Sequence, residues 1–160
     1  MNILDIVTHT PLYIWLVFGY LIFIGIKSTK AHIIPIPFLF TAPFIITTLR
    51  YNFFLKASLV HLLMYSLTII IGLKIGTRVA SLYKSKLILY KNSIELPGNI
   101  HSLILFITYF SIQYFFGALS AINRPLYQEL IFIEILTRGL FTGFLLGKTF
   151  FYVYFYYKNQ

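Results

Sequence analysis

Between Glu95 and Arg124 the chain carries no aspartate, glutamate, lysine or arginine, and the same holds between Lys30 and Arg50 and between Lys56 and Lys74. No water-soluble domain of 160 residues can hide so many oily stretches at once. Such a domain needs polar surface to cover its core, and about a quarter of its residues are normally charged. Here 11% are charged and 59% are hydrophobic. The apolar excess must face something other than water, and lipid is the fitting solvent. The net charge of +9 is strongly basic, yet the basic residues flank apolar runs instead of forming a soluble patch. They read as membrane-orientation signals, with no nucleic-acid partner expected. With no cysteine in the chain, disulfides, thiolate metal sites and thiol redox chemistry are excluded from its own residues.

A helix that crosses a bilayer needs roughly 20 apolar residues, within a range of about 17–25. Five segments meet or approach this, at approximately 11–27, 33–49, 57–76, 100–121 and 126–148. The predicted fold is therefore an all-α membrane protein, one integral domain over residues 1–160, built as a bundle of about five transmembrane helices. The first span opens at Thr10-Pro11, a suitable N-cap followed by a suitable first helical residue. The ten residues before Pro11 hold Asp5 and no Lys or Arg. The charged start of a cleavable signal is missing, so this run reads as a retained span. Pro35 and Pro37 fall in the first turn of the second span, and Pro43 should kink it. A helix from Leu126 to Tyr157 would outrun the ~30 Å hydrocarbon layer, so its aromatic end at 150–157 is expected at the interface as an aromatic belt. The polar segment 77–99 is a loop. Within it, 86–97 reads as a small β-hairpin around Lys91-Asn92, with a plain polar linker as the alternative.

Orientation follows from basic residues. With five spans and the amino end outside, Lys27, Lys30, Lys74, Arg78, Lys84, Lys86, Lys91 and Lys158 fall on the cytoplasmic side. Arg50, Lys56 and Arg124 fall outside. The bias is the positive-inside signature, and it puts the carboxyl end in the cytoplasm.

Polar residues within the spans carry what functional signal there is. Glu134 and Arg138 stand four apart, on one helix face, and can pair. Thr142 and Lys148 lie within about 80° of that face. Gly139, Gly143 and Gly147 form a ridge on the opposite side, which would let another helix approach closely. The third span has a stripe of Ser58, His61, Tyr65, Thr68, Gly72 and Gly76. The fourth has Ser102, Tyr109, Gln113, Gly117 and Ser120. Such stripes are expected in a bundle interior. The functional reading is an intramembrane polar site of Glu134, Arg138, His61, Tyr65 and Gln113, since ionisable groups in a bilayer suggest function by default. The structural reading is an ion pair and small-residue stripes that fix helix packing. His9 and His61 tend to one face, His32 and His101 to the other. Neither pair has helical ligand spacing or an acidic companion, so no metal or cofactor is expected. No catalytic motif is present either.

The order of several short motifs adds a resemblance. HTPLYIW (9–15) with Gly25, LPG (96–98), YFFGALSAINRP (114–125) and GLFTG (139–143) together resemble a domain-of-unknown-function family of small bacterial inner-membrane proteins. That family commonly has Ser and Trp after Leu-Pro-Gly, where this chain has Asn99 and Ile100. The resemblance implies a multi-spanning protein of the bacterial inner membrane and implies no activity. Three functions stay open: a non-enzymatic subunit or accessory, as a homo-oligomer or with a membrane protein partner; a small transporter or channel; and a membrane-embedded enzyme acting on lipid.

Overall fold

Asparagine and serine set where the helices start. In the computed structural model, which describes residues 12–48 and 57–159, the helices are α1 (Leu12–Lys27), α2 (Thr41–Thr48), α3 (Leu59–Leu82), α4 (Ile100–Ile122) and α5 (Arg124–Lys158). The Ser58 hydroxyl accepts the His61 amide to open α3, and Asn99 Oδ1 accepts the His101 amide at 2.8 Å to open α4. Asn123 is shared between two helices. Its own amide donates to Leu119 O at 2.9 Å, closing α4, while its Oδ1 accepts the Leu126 amide at 3.2 Å, opening α5. A single residue thus satisfies orphan groups of both helices. The proposed cap at Thr10-Pro11, together with His9, Arg50 and Lys56, lies outside the described residues.

Among the described residues three helices, α3, α4 and α5, are long and apolar enough to cross a membrane. α3 runs past the expected end at Gly76 to Leu82, carrying Lys74 and Arg78 on helix rather than in a loop. α5, at 35 residues, is about 52 Å long and overruns the ~30 Å hydrocarbon layer.

The helix expected over 33–49 is corrected at its start. Residues from His32 form strand β1 (His32–Pro35), then a 3-10 turn (Ile36–Phe40), and only then α2, which is eight residues long as described. Ile34 precedes Pro35 and lies in β1, and a residue before proline is driven out of the α region. Pro35 itself is extended, at φ −61° and ψ 140°. Pro43 comes in the first turn of α2 and does not kink a longer helix. Having no N–H, Pro43 leaves the Leu39 carbonyl four residues back without its helical donor. The Thr149 hydroxyl of α5 donates there instead, at 3.1 Å.

The hairpin does form. β2 (Ile88–Tyr90) pairs antiparallel with β3 (Ser93–Leu96) across Lys91-Asn92, and Asn92 takes the left-handed conformation, φ 62°, which asparagine tolerates. β1 joins the other side of β3, giving the order β1-β3-β2. That third strand comes from residues expected in a transmembrane helix, so the fold is not purely α.

The chain divides into two packed units. The first comprises residues up to His32 and Gly98–Ile131, so that α1 and α4 form an antiparallel helical pair. Phe18 stacks on Phe110 with centroids 4.3 Å apart, and Trp15 lies 6.1 Å from Tyr114. Gly25 is pressed against Leu103, and a Cβ there would stand 3.2 Å from the Leu103 Cα. On α4 the buried residues are Phe106, Tyr109 and Phe116, whereas Gly117 and Ser120 are exposed. The fourth-span stripe is therefore corrected in part: bulky aromatics, not small residues, occupy the buried face.

The second unit comprises Ile33–Pro97 and the residues from Phe132 onward. Its core joins Ile36, Leu39, Ala80, Ile94, Tyr152 and Tyr156. Tyr156 also accepts the Asn92 amide on its hydroxyl at 2.8 Å, tying the hairpin turn to α5. The aromatic end of α5 is thus not only an interfacial belt. Tyr152 and Tyr156 turn inward to the sheet, and Phe150, Tyr154 and Tyr157 face out.

Tyr90 donates its hydroxyl to Glu95 Oε2 at 2.9 Å. That bond, and then the carboxylate's charge, raise the Tyr90 pKa above its ordinary value of 10.0. The raised group contributes below the ordinary pKa, and the contribution is lost as pH climbs through the folded value. Glu95→Gln should return the Tyr90 titration to the ordinary range, as followed by NMR of ring-labelled tyrosine; an unmoved midpoint would deny the bond.

Candidate functional site

Helix spacing alone decides which residues of α3 and α5 can meet, and glycine decides how closely. Within the second unit, added Cβ atoms at Gly72, Gly76, Gly139, Gly143 and Gly147 would each run into the backbone of the opposite helix. At Gly72 a Cβ would stand 2.9 Å from Phe144 N, at Gly76 2.9 Å from Phe144 C, and at Gly139 2.8 Å from Tyr65 O. At Gly143 it would stand 2.8 Å from Ile69 C, and at Gly147 3.0 Å from Leu73 C. The partners rise together along both helices, Tyr65 with Gly139, Ile69 with Gly143, Leu73 with Gly147. The two helices therefore run parallel, backbone against backbone, for about three turns. Five glycines from two helices interlock in one seam. In lipid, where apolar side chains gain little by meeting each other, close backbone approach is the main source of helix–helix attraction.

Polar side chains fill the edge of this seam. Tyr65 donates its hydroxyl to Thr142 Oγ1 at 3.3 Å, and Thr142 donates in turn to Arg138 O at 3.0 Å. Thr68 donates to Tyr65 O at 2.9 Å and lies directly against Gly139. Hydroxyls that back-bond to their own helix satisfy themselves without needing water, as a membrane interior demands.

On the far side of α5 from its glycines, Glu134 is 2% exposed and forms an ion pair with Arg138 one turn on. The Arg138 side chain remains 21% exposed. Burying a carboxylate alone would cost several kcal/mol, roughly, and a cation at this spacing offsets most of that. Thr137 Oγ1 donates to Glu134 O at 2.9 Å. Lys148, further along, holds its ammonium 5.7 Å over the Phe144 ring.

Of the five proposed polar-site residues, four belong to the second unit. Glu134 and Arg138 are joined directly, and Tyr65 reaches their helix through Thr142. His61 is not joined to them. Its Nδ1 lies 3.0 Å from Ser58 Oγ, and its ring sits 5.6 Å from Phe132. Gln113 belongs to the first unit, on α4. Among the described residues no three of His, Cys, Asp or Glu come together in a way that could hold a metal ion.

Sequence reasoning missed the Thr149–Leu39 and Tyr156–Asn92 links. Pro43 was a signal for the first, since a proline in a helix start leaves a carbonyl in want of a donor. Nothing local marked Thr149 or Tyr156 as the residues that answer. In comparisons with known proteins, no family model, no curated protein and no solved structure matches this chain.

Proposed function

We propose that this chain is a non-enzymatic membrane protein that crosses the bilayer five times and serves as a small subunit or accessory of a larger membrane assembly. The observation that carries the reading is the glycine seam. Its polar groups are bonded to one another or to their own helices, and on the other side of α5 the buried Glu134 carboxylate is paired within a turn. This is the construction of a fixed helix pair. The apolar side chains on the outer faces of α3, among them Leu63, Leu67, Ile70 and Ile71, suit a lipid bilayer or an apolar membrane protein partner.

Five crossings are supported by a parity argument. The sheet joins β1, just after α1, with β2 and β3, between α3 and α4, and Tyr156 ties it to the end of α5. All four junctions then share one side of the membrane. On this reading α3 starts on the other side, and the chain crosses once more between β1 and α3, although α2 is short as described. The sheet side also holds the eight basic residues Lys27, Lys30, Lys74, Arg78, Lys84, Lys86, Lys91 and Lys158, which favours a cytoplasmic carboxyl end and an outer amino end. Assignment to a bacterial inner membrane rests on the motif resemblance alone.

Purification in mild detergent should retain a stoichiometric membrane partner or a homo-oligomer; an active monomer, clean by mass, would count against the proposal. A second reading, a small transporter or channel, is favoured by the burial of Glu134 within a helix long enough to span. In proteoliposomes it requires proton or cation flux that Glu134→Gln and Arg138→Ala abolish, and flux unaltered by both would remove the site.

A further inference from the structure

Lys84 and Lys86 stand on a 3-10 turn (Lys84–Lys86) just after α3 and Lys91 stands at the hairpin turn; Arg78, near the end of α3, is a fourth cation, and Glu95 is the sole acid of residues 77–99. Glu95 is already engaged by the Tyr90 hydroxyl. Among the described residues none of the three lysines makes an ion pair. Lys84 is held 5.8 Å over the Phe155 ring, and Lys158 5.7 Å over the Tyr154 ring. Beside them the sheet leaves Ile33, Ile88 and Tyr90 exposed, while Ile94 is turned into the core. Exposed apolar and aromatic groups interleaved with ammonium groups match the chemistry of a headgroup layer.

The depth agrees. Glu129 is exposed on α5, so the hydrocarbon layer begins no earlier than about the next turn. Counted from Ile131, ~30 Å at ~1.5 Å per residue ends near Phe150. Tyr154, Phe155 and Lys158, with the sheet packed on this stretch of helix, then lie roughly 6–12 Å further, at the headgroups and just beyond. The positive-inside rule accounts for the side on which these lysines stand. It does not require them to stand at headgroup depth on folded turns without ion-pair partners among the described residues.

We infer that the hairpin and the 3-10 turn before it, through the exposed Lys84, Lys86 and Lys91 beside Ile88 and Tyr90, bind the phosphate headgroups of acidic phospholipids. The three ammonium groups supply the charge complement, and Ile88 and Tyr90 settle among the upper acyl and glycerol groups. The claim is independent of whether the protein serves an assembly.

The test is full-length protein in mild detergent with equimolar phosphatidylglycerol and phosphatidylcholine, with retained lipid identified by native mass spectrometry. Phosphatidylglycerol should be retained in preference, by roughly fivefold for each lysine that contributes. The K84Q/K86Q/K91Q variant should retain both lipids alike. Should that variant not fold, Lys86→Gln and Lys91→Gln, each at an exposed position, read the same loss in single steps. Equal retention of both lipids by the unaltered protein overturns the inference. So does a preference undiminished in the variants, or an acidic protein held at these lysines in place of lipid.

Discussion

Gly143→Val will separate α3 from α5 and cost about 3 kcal/mol or more, because overpacking of a close-packed contact typically costs 1–3 and here the obstacle is backbone. A Cβ at this position would stand 2.8 Å from both the carbonyl carbon and the Cα of Ile69. Neither atom belongs to a side chain that can swing aside. The helices must part, and parting them exposes the Tyr65–Thr142 bond and strips contacts from the neighbouring glycines. Gly117 supplies the control, since a Cβ there meets nothing within 4 Å. Gly117→Ala should be neutral or stabilising by up to about 1 kcal/mol, the ordinary gain of alanine over glycine in a helix. Reversible unfolding in detergent measures both. If valine at 143 were tolerated as well as alanine at 117, the seam would not hold the unit together.

Arg138→Ala is the second large expected effect. It leaves the Glu134 carboxylate buried without its neighbouring cation, and breaking such a pair costs about 3–5 kcal/mol. The lower end is expected here, because the guanidinium is 21% exposed and part of its interaction is screened by its surroundings. The double variant Glu134→Gln/Arg138→Ala should recover most of the loss, since neither remaining group carries a buried charge. A double-mutant cycle then reads a coupling of about 1–3 kcal/mol between the two positions. Additive losses would show that the pair does not act as a pair. If Arg138→Ala left stability within about 0.5 kcal/mol, the range of an ordinary surface substitution, yet abolished flux, the transporter reading would replace the structural one.

How much of this was legible beforehand differs from element to element. The helices α1, α3, α4 and α5 follow from apolar runs with few charges, bounded by lysine, arginine, asparagine or serine, and these signals are local. The Lys91-Asn92 turn was equally legible, because few residues besides glycine accept the left-handed conformation found at Asn92. Glu134 and Arg138 could be paired on paper from their spacing of four. For residues 33–49 apolar content pointed to one helix opened by Pro35 and Pro37; the helix forms only over Thr41–Thr48, and the stretch holding the two prolines is strand and 3-10 turn instead. A strand there needed β3 as a neighbour, which lies some sixty residues away in the chain, and no local pattern announces such a partner. The small-residue stripe of α4 misled for a related reason. Glycine permits close approach but does not compel it, and Gly117 meets no neighbour.

The sequence by itself determined that the chain is solvated by lipid, where most of its helices lie, and which end carries the positive charge. These depend on composition and on spacings of three or four residues, which act within a turn. The tertiary structure alone decided that α3 and α5 run parallel in one glycine seam, that β1 completes a sheet, and that Tyr156 and Thr149 anchor distant backbone groups. Such choices hang on which surfaces meet once the helices stand, and a one-dimensional pattern records a surface without naming its partner.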